Sequence, residues 1–185
     1  KEIMMILNKC AFETTRLLVK EWHSLSTSDW RQQDLANVVS DMLTEPVTRS
    51  LPPTWQGDDT VDRGQQWIIE RDGEGTTLLV VQRTSRRAVG LMILNEAQVD
   101  KESSNTEIRL GYLLSENAWG KEFATELVSG FIKWCRGQSS ISLITGGVAS
   151  DNLASIRVLE KSGFQLVESS HEIVEDEKFY RLGLR

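Results

Sequence analysis

The sequence predicts a mixed α/β fold, α+β in character, with helices on both faces of a mixed sheet. Three observations carry this. Strand-like and helical runs follow one another as β-α-α-β-β-β-α-β-α-β-β. Hairpins coexist with one strand–helix–strand passage, residues 106–148, long enough to bring a strand back parallel to its predecessor. The 185 residues suit one domain spanning 1–185.

The first strand is residues 16–22, RLLVKEW. Residues 30–43 set Leu35, Val38, Val39, Met42 and Leu43 at helical spacing. Residues 44–59 hold all three prolines, Gly57 and two aspartates, which makes a long loop of the kind that carries function. Thr60 is placed to cap a second helix that runs to about Arg71, with Val61, Trp67 and Ile68 apolar, and Asp72–Gly75 reads as a turn. Residues 76–82 and 88–94 are strands joined by the hairpin Thr84–Arg87.

Residues 106–114 alternate, with Ile108, Leu110 and Tyr112 on one face and Glu107, Arg109 and Gly111 on the other, as in a half-buried strand. From Lys121 to Arg136 the apolar positions 124, 127, 128, 131, 134 and 135 form a helical stripe. Residues 140–148 are a strand. Residues 152–162 are a helix with Leu153, Ile156 and Leu159 inward and Gly163 at its carboxyl end. Residues 164–168 and 178–184 close the chain as an antiparallel pair.

Hydrophobic residues make up 39% and charged residues 26%, the balance of a globular protein. The net charge of −6 argues against a general nucleic-acid surface. Cys10 and Cys135 are far apart, with no CxxC and no Cys/His cluster, so neither a disulfide framework nor a metal site is expected, and a cytoplasmic location is. Cys135 falls on the core side of its helix. The apolar run Ile3–Leu7 is too short for a signal core or a membrane span, so no targeting segment and no membrane partner are read.

Residues 114–126, LSENAWGKEFATE, run from a strand into a helix through a turn. A helix amino terminus offers unpaired N–H groups and partial positive charge, and so can bind an anion. One glycine, Gly120, is a weak signal by itself. About thirty residues on comes DNLASIRVLEKSGF, residues 151–164. Together with TTRLLVKEW and GYLLSENAWGKEFATE, it resembles the GNAT superfamily of N-acetyltransferases, and within it the branch of ribosomal-protein N-terminal (alanine/serine) acetyltransferases. The likeness covers nearly the whole chain, and its most specific part is N-x-x-S-x-R-V-L-E-K-x-G-F.

The resemblance implies a mostly antiparallel sheet and acetyl-coenzyme A as donor. It implies that Tyr112, Leu113 and Leu114 run beside the pantetheine arm. Trp119, Gly120, Lys121, Glu122, Phe123, Ala124 and Thr125 would surround the pyrophosphate, with Asn152 and Ser155 near the donor. Three departures stand out: Asn117 takes the first place of the loop pattern, where the family has glutamine or arginine. Glu122 takes the third place of the loop pattern, where the family has glycine or alanine. Arg109 stands two residues before Gly111-Tyr112, where the family commonly carries a glutamate.

Acetyl transfer to an amine needs an oxyanion donor, a route for the amine's proton, close reactants and a proton for the leaving thiolate. The resemblance implies a backbone N–H group of Tyr112–Leu114 at the oxyanion. Ser155 is the candidate acid, although Asn152 with Ser155 three on also fits a helix cap. Glu107 is the candidate base, with a surface pair to Arg109 as the alternative. Tyr112 is expected to contribute its backbone, its ring lying in the core. His23 and His171 read as loop or surface residues. Trp55, Glu45 and Asp58 are candidate acceptor contacts in the 44–59 loop, the alternative being a solvated loop anchored by its tryptophan.

The expected activity is acetyl transfer from acetyl-CoA to a primary amine, on a protein amino terminus or a small molecule. The competing expectation is an acyl-CoA-binding module without catalysis. The chain is expected as a monomer or homodimer.

Overall fold

The run Thr76–Gln82 (TTLLVVQ) has no polar alternation, which demands cover on both faces. In the computed structural model it is a central strand, and every residue from Thr76 to Val81 is buried. The structure describes residues 6–57, 62–99, 104–168 and 176–185.

Among the described residues eight strands form one sheet: β1 (Ala11–Glu13), β2 (Leu17–Glu21), β3 (Thr76–Gln82), β4 (Arg87–Gln98), β5 (Thr106–Leu114), β6 (Ile141–Ala149), β7 (Gln165–Leu166) and β8 (Glu177–Gly183). Their order across the sheet is β1-β2-β3-β4-β5-β6-β8-β7. Every neighbouring pair is antiparallel except β5 with β6. The parallel pair is the one joined through a helix, α4 (Phe123–Arg136), as the 106–148 passage predicts.

Leu78, Val80, Met92, Leu94, Ile108 and Leu110 face α4 and the helix α5 (Leu153–Lys161). Leu79, Val81, Leu91, Ile93 and Leu113 face the helices α1 (Leu35–Met42) and α3 (Arg63–Glu74), with Trp22, Trp30 and Trp67 between. The alternation of β5 therefore separates two cores, one on each face. Cys10 and Cys135 are free and buried in the first core, and burial pushes the Cys135 thiol up to about 12.

Several boundaries differ from the sequence reading. β1 is a three-residue edge strand that no pattern announces. The first helix starts at Leu35 rather than Trp30, because Gln33 adopts φ 58° and Asp34 caps the helix by accepting from Asn37 N–H. A single turn, α2 (Glu45–Thr48), interrupts the long loop. Asp72–Glu74 continue α3 instead of turning, and the Gly75 N–H closes the helix on the Arg71 carbonyl. Leu153 is exposed, since it stands in the first turn of α5 beyond the sheet's cover. Thr60, Val61 and His171 lie outside the described residues. Among the described residues no helix is long and apolar enough to cross a membrane.

Candidate functional site

β5 and β6 start side by side and then part. Their last paired residues are Arg109 and Thr145, yet β5 continues to Leu114 and β6 to Ala149. β5 stays paired with β4 up to Leu114, and β6 with β8 up to Ala149, so each strand follows its outer neighbour. The inner edge of β5 from Leu110 onward is left with backbone groups that no strand satisfies. A cavity of about 930 Å³ fills the gap, walled by both strands and by the amino ends of α4 and α5.

The amino end of α4 is bare. Gly120 (φ 70°) and Glu122 (φ 63°) are both left-handed and swing the chain from Trp119 into the helix. No side chain caps α4, and its first incoming bond is Glu126 N–H to the Glu122 carbonyl at 3.2 Å. The N–H groups of Phe123, Ala124 and Thr125 thus have no partner among the described residues. α1 and α5, by contrast, are capped by Asp34 and Asn152. An uncapped start on a 14-residue helix at a cavity wall suits an anion.

The Glu122 carboxylate does not cap those N–H groups. It pairs with Lys161 Nζ on α5 at 3.2 Å, both side chains being exposed. The two acidic residues of this turn have different surroundings. Glu122 precedes the helix. Glu126 accepts from the Thr14 hydroxyl (2.6 Å), the Arg16 N–H (2.7 Å) and the Arg16 guanidinium (2.7 Å), tying α4 to the start of β2. Burial pushes the Glu126 carboxyl up, but those donors outweigh it and hold it below its ordinary value.

The other expected donor contacts divide into backbone and side chain. Leu113 and Leu114 line the cavity while their side chains are buried. Phe123 turns its ring into the core beneath the Arg16 guanidinium, 4.3 Å from the centroid, which leaves only its backbone for a ligand. Trp119 is 47% exposed and is anchored through Nε1–H to the Leu114 carbonyl (2.9 Å). Gly120, Glu122, Ala124 and Thr125 line the cavity, and Lys121 is exposed beside them.

Across the gap, Asn152 Oδ1 accepts from Ser155 N–H at 3.2 Å, so the capping arrangement is present and both residues also line the cavity. The Tyr112 hydroxyl donates to Ser155 Oγ at 3.1 Å. The ring packs against the core as expected, but the hydroxyl was not anticipated: it spans from β5 to α5. Burial pushes the Tyr112 phenol above its usual range, more than the bond to Ser155 lowers it, so the pair holds its protons at neutral pH.

The opposite face of β5 meets the 44–57 segment. The Trp55 ring lies on Gly111, where a Cβ would come within 3.0 Å of it. Trp55 Nε1–H donates to Glu74 (3.1 Å), its carbonyl accepts from Trp67 Nε1–H (2.8 Å), and the Arg71 guanidinium sits 5.3 Å from its ring. Trp55 is thus a fixed wall of the cavity. Glu45 instead pairs with Arg49 in solvent and is not among the cavity walls. Asp58 lies outside the described residues. Glu107 accepts from the Thr145 hydroxyl at 2.7 Å, below the point where the strands part, and does not reach the cavity walls. His23 pairs with Asp72, away from the site.

Two charged residues that the sequence reading did not assign complete this face, Arg109 and Glu177. Arg109 lies over the Phe179 ring, 6.0 Å from the centroid. The Glu177 carboxylate bends over Gly147, where a Cβ would collide with Oε1. The alternation Glu177, Phe179, Arg181 was readable, but its face depends on pairing with β6, which a single strand does not reveal.

Residues 25–165 match the family described as Acetyltransferase (GNAT) domain. An N-acetyltransferase of Bacillus licheniformis, p20, is 29% identical over 97 residues, 52% of this chain and 52% of that protein, so the match spans about half the relative's length. A GNAT-family acetyltransferase from Bacillus anthracis superposes with a TM-score of 0.72 at 16% identity, covering 95% of this chain and 99% of that one. RimL, a ribosomal α-N-protein acetyltransferase in complex with coenzyme A, gives a TM-score of 0.65 at 14% identity, covering 94% and 98%. The fold is shared from end to end, the family match runs from the loop after β2 to β7 and takes in both walls of the gap, and the chain belongs to the GNAT acetyltransferase domain family.

Proposed function

We propose that this protein is an acetyl-CoA-dependent N-acetyltransferase acting on a primary amine by direct attack on the thioester. The observation that carries the reading is the gap between β5 and β6, which ends on the uncapped start of α4. An extended pantetheine arm fits along the free edge of β5 as a strand would. A pyrophosphate fits on the N–H groups of Phe123, Ala124 and Thr125. The cosubstrate supplies the activated acetyl group, and the chain supplies position and protons.

The amine approaches from the side of Trp55 and Gly111, its lone pair aimed at the thioester carbonyl carbon. The C–N bond forms as the C–S bond breaks. N–H groups on the free edge near Tyr112 stabilise the charge that develops on the carbonyl oxygen. The leaving sulfur takes a proton from Ser155, whose oxygen the Tyr112 hydroxyl steadies through its hydrogen bond, and solvent returns a proton to Ser155. The amine's surplus proton passes to solvent or to Glu177, the carboxylate on this wall. The acceptor class, a protein amino terminus or a small amine, follows from what the Trp55 side admits.

Calorimetry with acetyl-CoA, followed by a thiol-release screen over amino-terminal peptides, polyamines, amino acids and aminoglycosides, tests the reading. Binding with turnover of at least one amine is expected. A binding module without catalysis is the second reading, favoured by Arg109 standing where the family commonly has a glutamate. Tight binding with no turnover on any amine would establish that module instead. Failure to bind any acyl-CoA would remove both.

A further inference from the structure

We infer that the acceptor carries a carboxylate as well as its reacting amine, with Arg109 holding the carboxylate and Glu177 the amine. The inference rests on the transferase reading and narrows its substrate class. Arg109 is the last β5 residue paired with β6, so it stands where the gap opens. It is exposed on the cavity wall and makes no ion pair among the described residues. Its guanidinium is steadied over the Phe179 ring.

Glu177 lies two residues from Phe179 on the same face of β8, roughly 7 Å along the strand. It also lines the cavity, and its carboxylate makes no hydrogen bond or ion pair among the described residues. A cation and an anion thus flank one aromatic ring, and neither is neutralised by the other. A ligand that bridges them must offer a carboxylate to the guanidinium and an amine to the carboxylate. A guanidinium also recognises a carboxylate in two-point fashion, and it repels a polyamine or an aminoglycoside.

The same chemistry comes from a free amino acid or from a peptide amino terminus followed by an acidic residue. The test compares matched pairs in a thiol-release assay with acetyl-CoA: amino acids against their amides, and carboxy-amidated dipeptides with Glu against Gln in second place. The carboxylate member of a pair is expected to have a kcat/KM about ten- to a hundredfold higher, mostly through KM. Preference within the amino-acid arm or the peptide arm identifies the source. Arg109→Gln is expected to bring the ratio near one while coenzyme A affinity, read by calorimetry, shows that the site still folds. Equal turnover of paired members, or a ratio that survives Arg109→Gln, overturns the inference. If no amine turns over, the transferase reading has failed. The same pairs are then titrated into the coenzyme A complex, where Arg109-dependent binding of the carboxylate members sustains the inference and its absence overturns it.

Discussion

Glu122→Gly tests the anion site at the start of α4. Glu122 has φ 63°, a conformation that costs a residue with a side chain about 1–2 kcal/mol and glycine little. Against that relief stand the unfolded-state entropy of a new glycine, about 0.4–1 kcal/mol, and the loss of a helix-start carboxylate, about 0.3–1 kcal/mol. The exposed pair with Lys161 adds little. Stability is therefore expected to change by less than about 1 kcal/mol, which for a chain of this size is a melting shift within about 4 °C. Affinity should move more clearly. Unit charges about 8 Å apart repel by about 0.5 kcal/mol in water and about 2 kcal/mol at an effective dielectric near 20. Physiological salt cuts either value to roughly a third at that distance. Coenzyme A should bind up to about fourfold tighter, and the gain should shrink as salt rises. Glu122→Gln, which removes the charge but keeps the backbone strain, should match the affinity gain without the strain relief. Calorimetry across a salt series and thermal melts read both effects. Weaker binding in either variant, or a gain indifferent to salt, would refute the electrostatic reasoning.

Ser155→Ala should lower kcat by about a hundredfold and Tyr112→Phe by less, with coenzyme A affinity kept in both, as rapid-mixing turnover and calorimetry would show. Glu126 has its folded pKa below the unfolded value, so its stabilisation is present above about pH 4.3 and is lost as pH falls through the folded value. Urea midpoints should then fall faster between about pH 5 and pH 3 in wild type than in Glu126→Gln, and parallel curves would contradict this. Gly111→Ala pushes a Cβ to 3.0 Å from the pinned Trp55 ring, so the acceptor's KM should rise while coenzyme A affinity holds; steady-state kinetics decide it.

The features that a sequence displays are those set within one element. The alternation of β5 and the stripe of α4 were legible because each element presents its own apolar face to a core. Gly120 and the cap at Asn152 were legible for the same local reason. What depends on two strands at once was not. Glu107 shares a face with Arg109 and Gly111, but the parting of β5 from β6 begins at Arg109, and that point is decided by both partners. Glu177 reaches the site only through the register of β8 on β6. The hydroxyl of Tyr112 meets Ser155 because α5 returns across the gap, a distance of 43 positions in sequence.

The parting of β5 from β6 also divides the sheet mechanically. β1 to β5 form one half-sheet and β6, β8 and β7 the other, and among the described residues four pairs hinge them: Thr106 with Ile141, Glu107 with Leu143, Ile108 with Ile144, and Arg109 with Thr145. Past the hinge the halves are joined through packed helices and the Tyr112 to Ser155 contact. A ligand lying in the gap would supply the missing strand between them, so its binding should act as a clasp. The amide protons of β6 and β8 would then exchange more slowly in the loaded protein than in the free one, although the ligand touches few of them.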